Sequence, residues 1–312
     1  MRNEFELDFI DKELLKLYYE NEETIWHVIA KNRHLEIIRN EYFQLDFREI
    51  NLKNKHGLTA LNIAVQNNDS LMVAELSKRG ARVLAGQGFK MLNHAVENNN
   101  LPMIEELFKC GAKVLDHEKL KLLSRAIESN NPDVLRLLIV NLEVVSIANL
   151  EKGKNKRDLT LLHKACLSGS LEICQELIRA GAEINATSTW QDLSHGDIKQ
   201  GLYLENATPL HLAIVAKKQF IVRELIQNKA DLFVNCRGVE GGNFFLGPEK
   251  LDPRFLCNSE SEIFKILKEA IEKQNEDLTK NPASHFKCSS QRIKIGSLVG
   301  SEVNYANMTG PF

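Results

Sequence analysis

Apolar residues along this chain fall in short helical bursts separated by polar turns. In "ATPLHLAIVAKKQFIVRELIQNKADL" (Ala207 to Leu232), Leu210, Ala213 and Ile214 lie at i, i+3 and i+4, on one helical face. Past a polar break, Ile221, Val222, Leu225 and Ile226 repeat the spacing. The pattern predicts two short helices in succession. It recurs in register in "LTLLHKACLSGSLEICQELIRAGAEIN", where Thr160 aligns with Thr208, His163 with His211, Ala165 with Ala213 and Gly181 with Lys229. The same template fits copies beginning at Thr59, Lys90 and Lys121, and a truncated first copy at Thr24. The starts are 35, 31, 31, 39 and 48 residues apart, so the chain is an internal repeat with additions before the last two copies.

One unit can be read physically. Thr208 caps a helix and Pro209 takes its first position, where the missing N–H would be orphaned in any case. Ala64, Ala95, Ala126, Ala165 and Ala213 occupy one column and are small enough for two helices to approach closely. Twenty-one residues after each start, Gly80, Gly111 and Gly181 predict a left-handed stop to the second helix, with Leu142 at that place in the Lys121 copy. A single hairpin cannot bury its own apolar face, so the units must stack. The fold predicted is an all-α solenoid of stacked helical hairpins with short finger loops and a helical cap at each end.

These units resemble ankyrin repeats. The signature T-P-L-H-x-A is present whole at Thr208–Ala213, nearly whole from Thr160 to Ala165, and without its His from Thr59 to Ala64. The resemblance spans residues 24–235. It implies a non-enzymatic protein–protein interaction module that binds a partner protein through its concave face and finger loops. Carried over position by position, it selects Lys55, His56, Leu58, Gln66 and Asn67 in one unit, Phe89, Glu97 and Asn98 in the next, and Lys156 and Arg157 in a later finger. Trp190 and Tyr203 join them on composition alone, as large aromatics in a polar insertion.

The flanks read differently. Residues 1–23 carry Ile10, Leu14, Leu17 and Tyr18 on one stripe and are expected to form an N-terminal helical cap. Residues 186–206 enlarge the finger before the last repeat, and 146–159 form a basic connection. Residues 236–279 are expected to form a loop and a capping helix, with Ser259 to Glu262 as a capping box before Ile263, Ile266, Leu267, Ala270 and Ile271. Residues 280–312 are Ser-, Gly- and Asn-rich and predict an extended or disordered tail.

Composition adds mainly exclusions. A net charge of −2 gives no global attraction to nucleic acid, and no apolar run is long enough to span a membrane. The acidic start lacks the features of a secretory signal, and the six cysteines form no C-x-x-C pair, which suits a reducing cytoplasm. No cofactor or metal is expected: His94, His117 and His285 have no ligand partner at usable spacing. His163 and Cys166 could suggest a nucleophile and base, but both fall on framework positions of the repeat. His195 beside Asp197 reads as solvated. A monomer binding another protein is expected. The Asn/Ile/Lys bias resembles ankyrin effectors that intracellular bacteria deliver into host cells. The alternative is a scaffold presenting a regulatory or catalytic element in residues 236–312.

Overall fold

The computed structural model describes residues 23–39, 47–151, 159–191, 203–234, 236–239, 253–257 and 260–280. By packing, the chain divides into two compact units, Met1–Leu267 and Lys268–Phe312. Residues 1–22 of the expected N-terminal cap (1–23) and 281–312 of the expected tail (280–312) lie outside the described residues.

The first unit is built of helical hairpins: α1 (Ile25–Asn32) with α2 (Leu35–Arg39), α3 (Ala60–Gln66) with α4 (Ser70–Lys78), α5 (Gly88–Glu97) with α6 (Leu101–Lys109), and α7 (Asp116–Glu128) with α8 (Pro132–Asn141). After the short α9 (Ile147–Leu150) come α10 (Leu161–Ser168) with α11 (Leu171–Arg179) and α12 (Pro209–Val215) with α13 (Gln219–Gln227). The first helices pack in the series α1, α3, α5, α7, α10, α12, and the second helices in the series α2, α4, α6, α8, α11, α13. Two helical layers therefore share one elongated core. The alanines of the repeat column sit at the centre of that core, each with no exposed surface.

Backbone conformation fixes the register. Nine residues after each start the chain turns left-handed, at Arg33, Asn68, Asn99, Asn130, Gly169 and Lys217. Asparagine tolerates this region better than most residues, which accounts for the recurrent Asn pairs between the helices. Asp69, Asn100, Asn131 and Ser170 then accept backbone N–H groups to cap the second helices. The second left-handed turn falls at Gly80, Gly111, Gly181 and Lys229 as predicted. In the fourth unit it falls at Glu143 (φ 53°) and not at Leu142, which is buried. That unit's second helix has ten residues where its neighbours have nine, so the stop moves one place along.

Four units open on the same capping arrangement. In the first, the Thr24 N–H donates to His27 Nδ1 at 3.0 Å and the Thr24 hydroxyl lies 2.8 Å from the same nitrogen. Nδ1 thus accepts, so Nε2 carries the ring proton and donates to the Leu58 carbonyl, 2.9 Å away in the next unit. His163 repeats this with Thr160 and reaches the Ala207 carbonyl at 2.9 Å. His211 binds Thr208 in the same way. In the second unit Asn62 substitutes for the histidine, with its Oδ1 2.9 Å from both the Thr59 N–H and hydroxyl. The acceptors Leu58 and Ala207 each immediately precede the Thr of the following unit, so the ring ties consecutive repeats in register.

The enlarged finger is a small sheet. β1 (Ser188–Gln191) pairs antiparallel with β2 (Tyr203–Ala207), and β2 pairs antiparallel with β3 (Arg237–Val239), which arrives from beyond the last repeat. The helix α14 (Glu262–Lys280) follows a 3-10 turn at Pro253–Leu256 that packs on α12. The Phe264 N–H donates to the Ser261 hydroxyl at its start, while Ser259 of the expected capping box lies outside the described residues. Ile263, Ile266 and Leu267 are buried. In the second unit, Lys268 to Lys280 continue the helix.

Ala165 has no exposed surface, and a larger side chain there must push α10 from its neighbours. Ala165→Leu is expected to cost about 1–3 kcal/mol, with a lowered denaturant midpoint. Hydrogen exchange should show the loss spreading into the adjoining repeats.

Burial holds the His27 ring below its ordinary value of 6.5, against the Leu58 carbonyl and Glu23, which favour the charged form. A depressed folded value means that the neutral ring stabilises the fold above about pH 6.5, and that this contribution is lost as pH falls through the folded value. His27→Asn, copying Asn62, should be less stable at neutral pH, because it loses the bond to Leu58. Its denaturation free energy should fall less steeply than the parent's below pH 6.5.

Candidate functional site

The capping column lapses in the third and fourth units, where Lys90 and Lys121 stand in the Thr place and Asn93 and Ser124 in the His place. Without the Thr to break the chain, the first helices run further back. α5 starts at Gly88 and α7 at Asp116, so Lys90 and Lys121 are helical and not caps. The register of these units holds, with Asn99, Asn130 and Gly111 left-handed where counted, and only the helix starts differ. Gly88 makes the longer α5 possible: a β-carbon there would lie 2.2 Å from the Lys113 carbonyl oxygen of the next finger.

Two adjoining grooves open along the first-helix layer at this lapse. One, of about 300 Å³, is bordered by Leu58, Asn62, Gln66, Lys90, Met91 and Glu97, with Asn93 and His94 at its edge. The other, of about 510 Å³, is bordered by Phe89, Leu120, Lys121, Ser124, Arg125 and Lys164, with Glu128 and the shared Asn93. Phe89 and Leu120 are the counterparts of Leu58 and Ala207, the residues whose carbonyls receive the histidine bond elsewhere. Their side chains are half-buried and line the second groove, as that of Leu58 lines the first. Arg125 lies 3.4 Å from Glu97 and 3.3 Å from Glu128, and Lys164 donates to the Ser124 hydroxyl.

The residues selected from sequence are distributed unevenly over this surface. Leu58, Gln66 and Glu97 border the first groove and Phe89 the second. Lys55 and His56 are exposed on a tight turn held by Asn54, whose Oδ1 accepts the His56 and Leu58 N–H groups. Asn67 is engaged in stacking: its amide donates to the Ala30 carbonyl at 3.1 Å, and its own carbonyl accepts from Arg33 at 2.8 Å. Asn98 is exposed, with its amide on the His94 carbonyl. Lys156 and Arg157 lie outside the described residues. The backbones of Trp190 and Tyr203 pair in the sheet, Trp190 opposite Leu204 and Tyr203 opposite Gln191 and Val239, while their side chains lie outside what is described. Lys90, Lys121, Arg125 and Lys164 were missed by sequence reasoning. The signal was present as lysine where the register asks for a cap, and basic residues four places after two of the starts.

The residues considered for catalysis have other duties. Both His163 nitrogens are engaged in the repeat framework. Burial first, and the adjacent Cys174, push the Cys166 thiol well above its ordinary range, opposite to a nucleophile's requirement. His195, Asp197 and Cys288 lie outside the described residues. Among the described residues no three His, Cys, Asp or Glu side chains gather as a metal site, and no helix is long and apolar enough to cross a membrane.

Residues 92–188 match the family model for ankyrin repeats in three copies, and residues 205–238 match that for a single ankyrin repeat. The chain therefore carries ankyrin repeats over these spans. Similar solved structures include the human ASB11 ankyrin repeat domain, at 16% identity over 80% of this chain and 98% of that one, TM-score 0.47. Another is the ankyrin repeat domain of Bcl-3, a member of the IkappaB family, at 20% identity over 80% of this chain and all of that one, TM-score 0.49. No curated protein matches the sequence. The Thr24 and Thr59 units, outside the matched spans, show the same paired helices and left-handed turn.

Because the Gly88 β-position meets backbone and not a yielding side chain, Gly88→Ala must displace α5 or the following finger. A cost of about 1–3 kcal/mol is expected in the denaturant midpoint.

Proposed function

We propose that the protein acts without catalysis, binding a partner protein along the first-helix layer and the fingers beside it. Ankyrin repeats are protein–protein interaction modules. The observation that carries the reading here is the pair of grooves where the capping column lapses. They bring Leu58, Phe89 and Leu120 to a surface rimmed by polar and charged side chains, the mixture expected of an interface centre and its rim. Lys55, His56, Gln66, Asn67, Glu97 and Asn98 extend that surface in the second and third units. Lys156, Arg157, Trp190 and Tyr203 stay in the reading as finger residues chosen from the sequence alone. The Asn/Ile/Lys bias supports an effector acting in a host cell as the setting of this interaction, which a translocation reporter fused to the chain would test.

A partner captured by proximity labelling with the full chain, and then purified, provides the test. Phe89→Ala and Trp190→Ala should each weaken its binding by at least about tenfold, while circular dichroism stays unchanged. Phe220→Ala, an exposed aromatic on the second-helix layer, should bind as the parent does. Normal binding by both Phe89→Ala and Trp190→Ala, or loss with Phe220→Ala alone, would move the interface off this face.

A further inference from the structure

The lapse in the capping column does more than open a groove, because it also places unpaired positive charge there. Lys90 and Lys121 are exposed, and among the described residues neither forms an ion pair or a hydrogen bond. Arg125, shared with Glu97 and Glu128, and Lys164 line the second groove with Lys121. The two grooves together carry Lys90, Lys121, Arg125 and Lys164 against Glu97 and Glu128, on a chain whose net charge is −2. The excess is therefore local and opposite in sign to the molecule as a whole. Phe89 lies within it, half-buried, one residue before Lys90.

Resting on the reading above, we propose that the groove takes an acidic, extended stretch of the partner protein, with an aromatic or branched aliphatic side chain against Phe89 and carboxylates on Lys90 and Lys121. The two lysines occupy the same register position on successive first helices. Packed helices lie about 8–10 Å apart, and an extended chain advances about 3.3 Å per residue. One repeat step thus corresponds to roughly three residues of ligand, so the two carboxylates should stand about three positions apart with the apolar residue between them. A nucleic-acid backbone fits this surface less well. Glu97 and Glu128 would oppose a continuous row of phosphates, whereas a peptide can place neutral side chains beside them.

Random peptides displayed on phage and selected on the full-length protein test the chemistry. The enriched sequences should carry Asp or Glu about three positions apart around an aromatic or aliphatic residue. A synthetic peptide of that sequence should bind in fluorescence anisotropy, and more weakly as salt is raised. The Lys90→Glu/Lys121→Glu variant should lose at least about tenfold in affinity, while Lys90→Arg/Lys121→Arg should keep it. Both lysines are exposed, so the melting temperature of each variant should match the parent's and serves as the folding control. Enrichment of neutral or basic peptides, recovery of none, or undiminished binding by the charge-reversed variant would overturn the proposal. So would tighter binding of single-stranded polyuridine than of the peptide. If Phe89→Ala abolishes capture of the natural partner while charge reversal leaves it intact, the interaction surface stands and its acidic specificity falls.

Discussion

At two junctions of the stack, a bond between a histidine ring on one repeat and a backbone carbonyl on the next fixes where one hairpin sits on its neighbour. Stacked apolar faces alone would permit sliding, since burial is non-directional. The ring removes that freedom because both of its nitrogens are committed. Nδ1 is held by the Thr at the start of its own helix, and Nε2 reaches the residue before the next Thr, at Leu58 from His27 and at Ala207 from His163. One residue type therefore caps a helix, satisfies a buried carbonyl and sets the step of the solenoid. Where it is absent, something else must hold the step. In the middle of the array Gly88 packs against the Lys113 backbone, Val83 donates to the Cys110 carbonyl, and Ser146 donates to the Gly181 carbonyl. The Ser146 bond parallels that of Asn51 to the Gly80 carbonyl at an earlier finger.

The legibility of this fold follows from which constraints are local. A Thr followed three places later by His, an Ala column and a Gly stop act within a few residues of themselves. All could be placed by counting, and the buried alanines and left-handed glycines lie there. The one-residue growth of α8 could not be counted, because nothing nearby marks it: Leu142 is as suited to a core as to a helix end, and the stop at Glu143 uses a residue with no preference for that backbone. The helix starts at Gly88 and Asp116 were hidden for a related reason. With the Thr gone, the boundary at Gly88 passed to the packing against Lys113 of the next finger, and that at Asp116 to Glu118, whose carboxylate accepts the Leu115 N–H.

The candidate site was legible only in part. Leu58, Gln66, Phe89 and Glu97 were found because they occupy register positions that the family uses. The lysines were passed over because they looked like decay of the pattern. Trp190 and Tyr203 were marked by composition, but the arrangement around them depends on β3, a strand more than thirty residues along the chain from β2. Pairing at such range leaves no periodic trace in either segment.

Charge separates the two helical layers. In the second layer, basic side chains answer the carboxylates within the stack. Glu75 receives Arg39 of the preceding repeat at 3.2 Å and Lys78 of its own at 3.1 Å. Burial would raise its pKa, but those two bonds outweigh it and hold the carboxyl below its ordinary value. Glu176 repeats the arrangement with Arg136 and Arg179, at 2.7 and 2.6 Å. Such carboxylates, nearly buried and bridging successive hairpins, spend their field inside the molecule. The first layer does the reverse at its centre, where Lys90 and Lys121 replace capping residues that would have turned inward. A stack whose second layer meets its own electrostatic needs can tolerate unanswered charge on the first, because the neighbouring repeats hold the register of both. The residues that no longer serve the fold at positions 90 and 121 are thus the ones free to serve a partner.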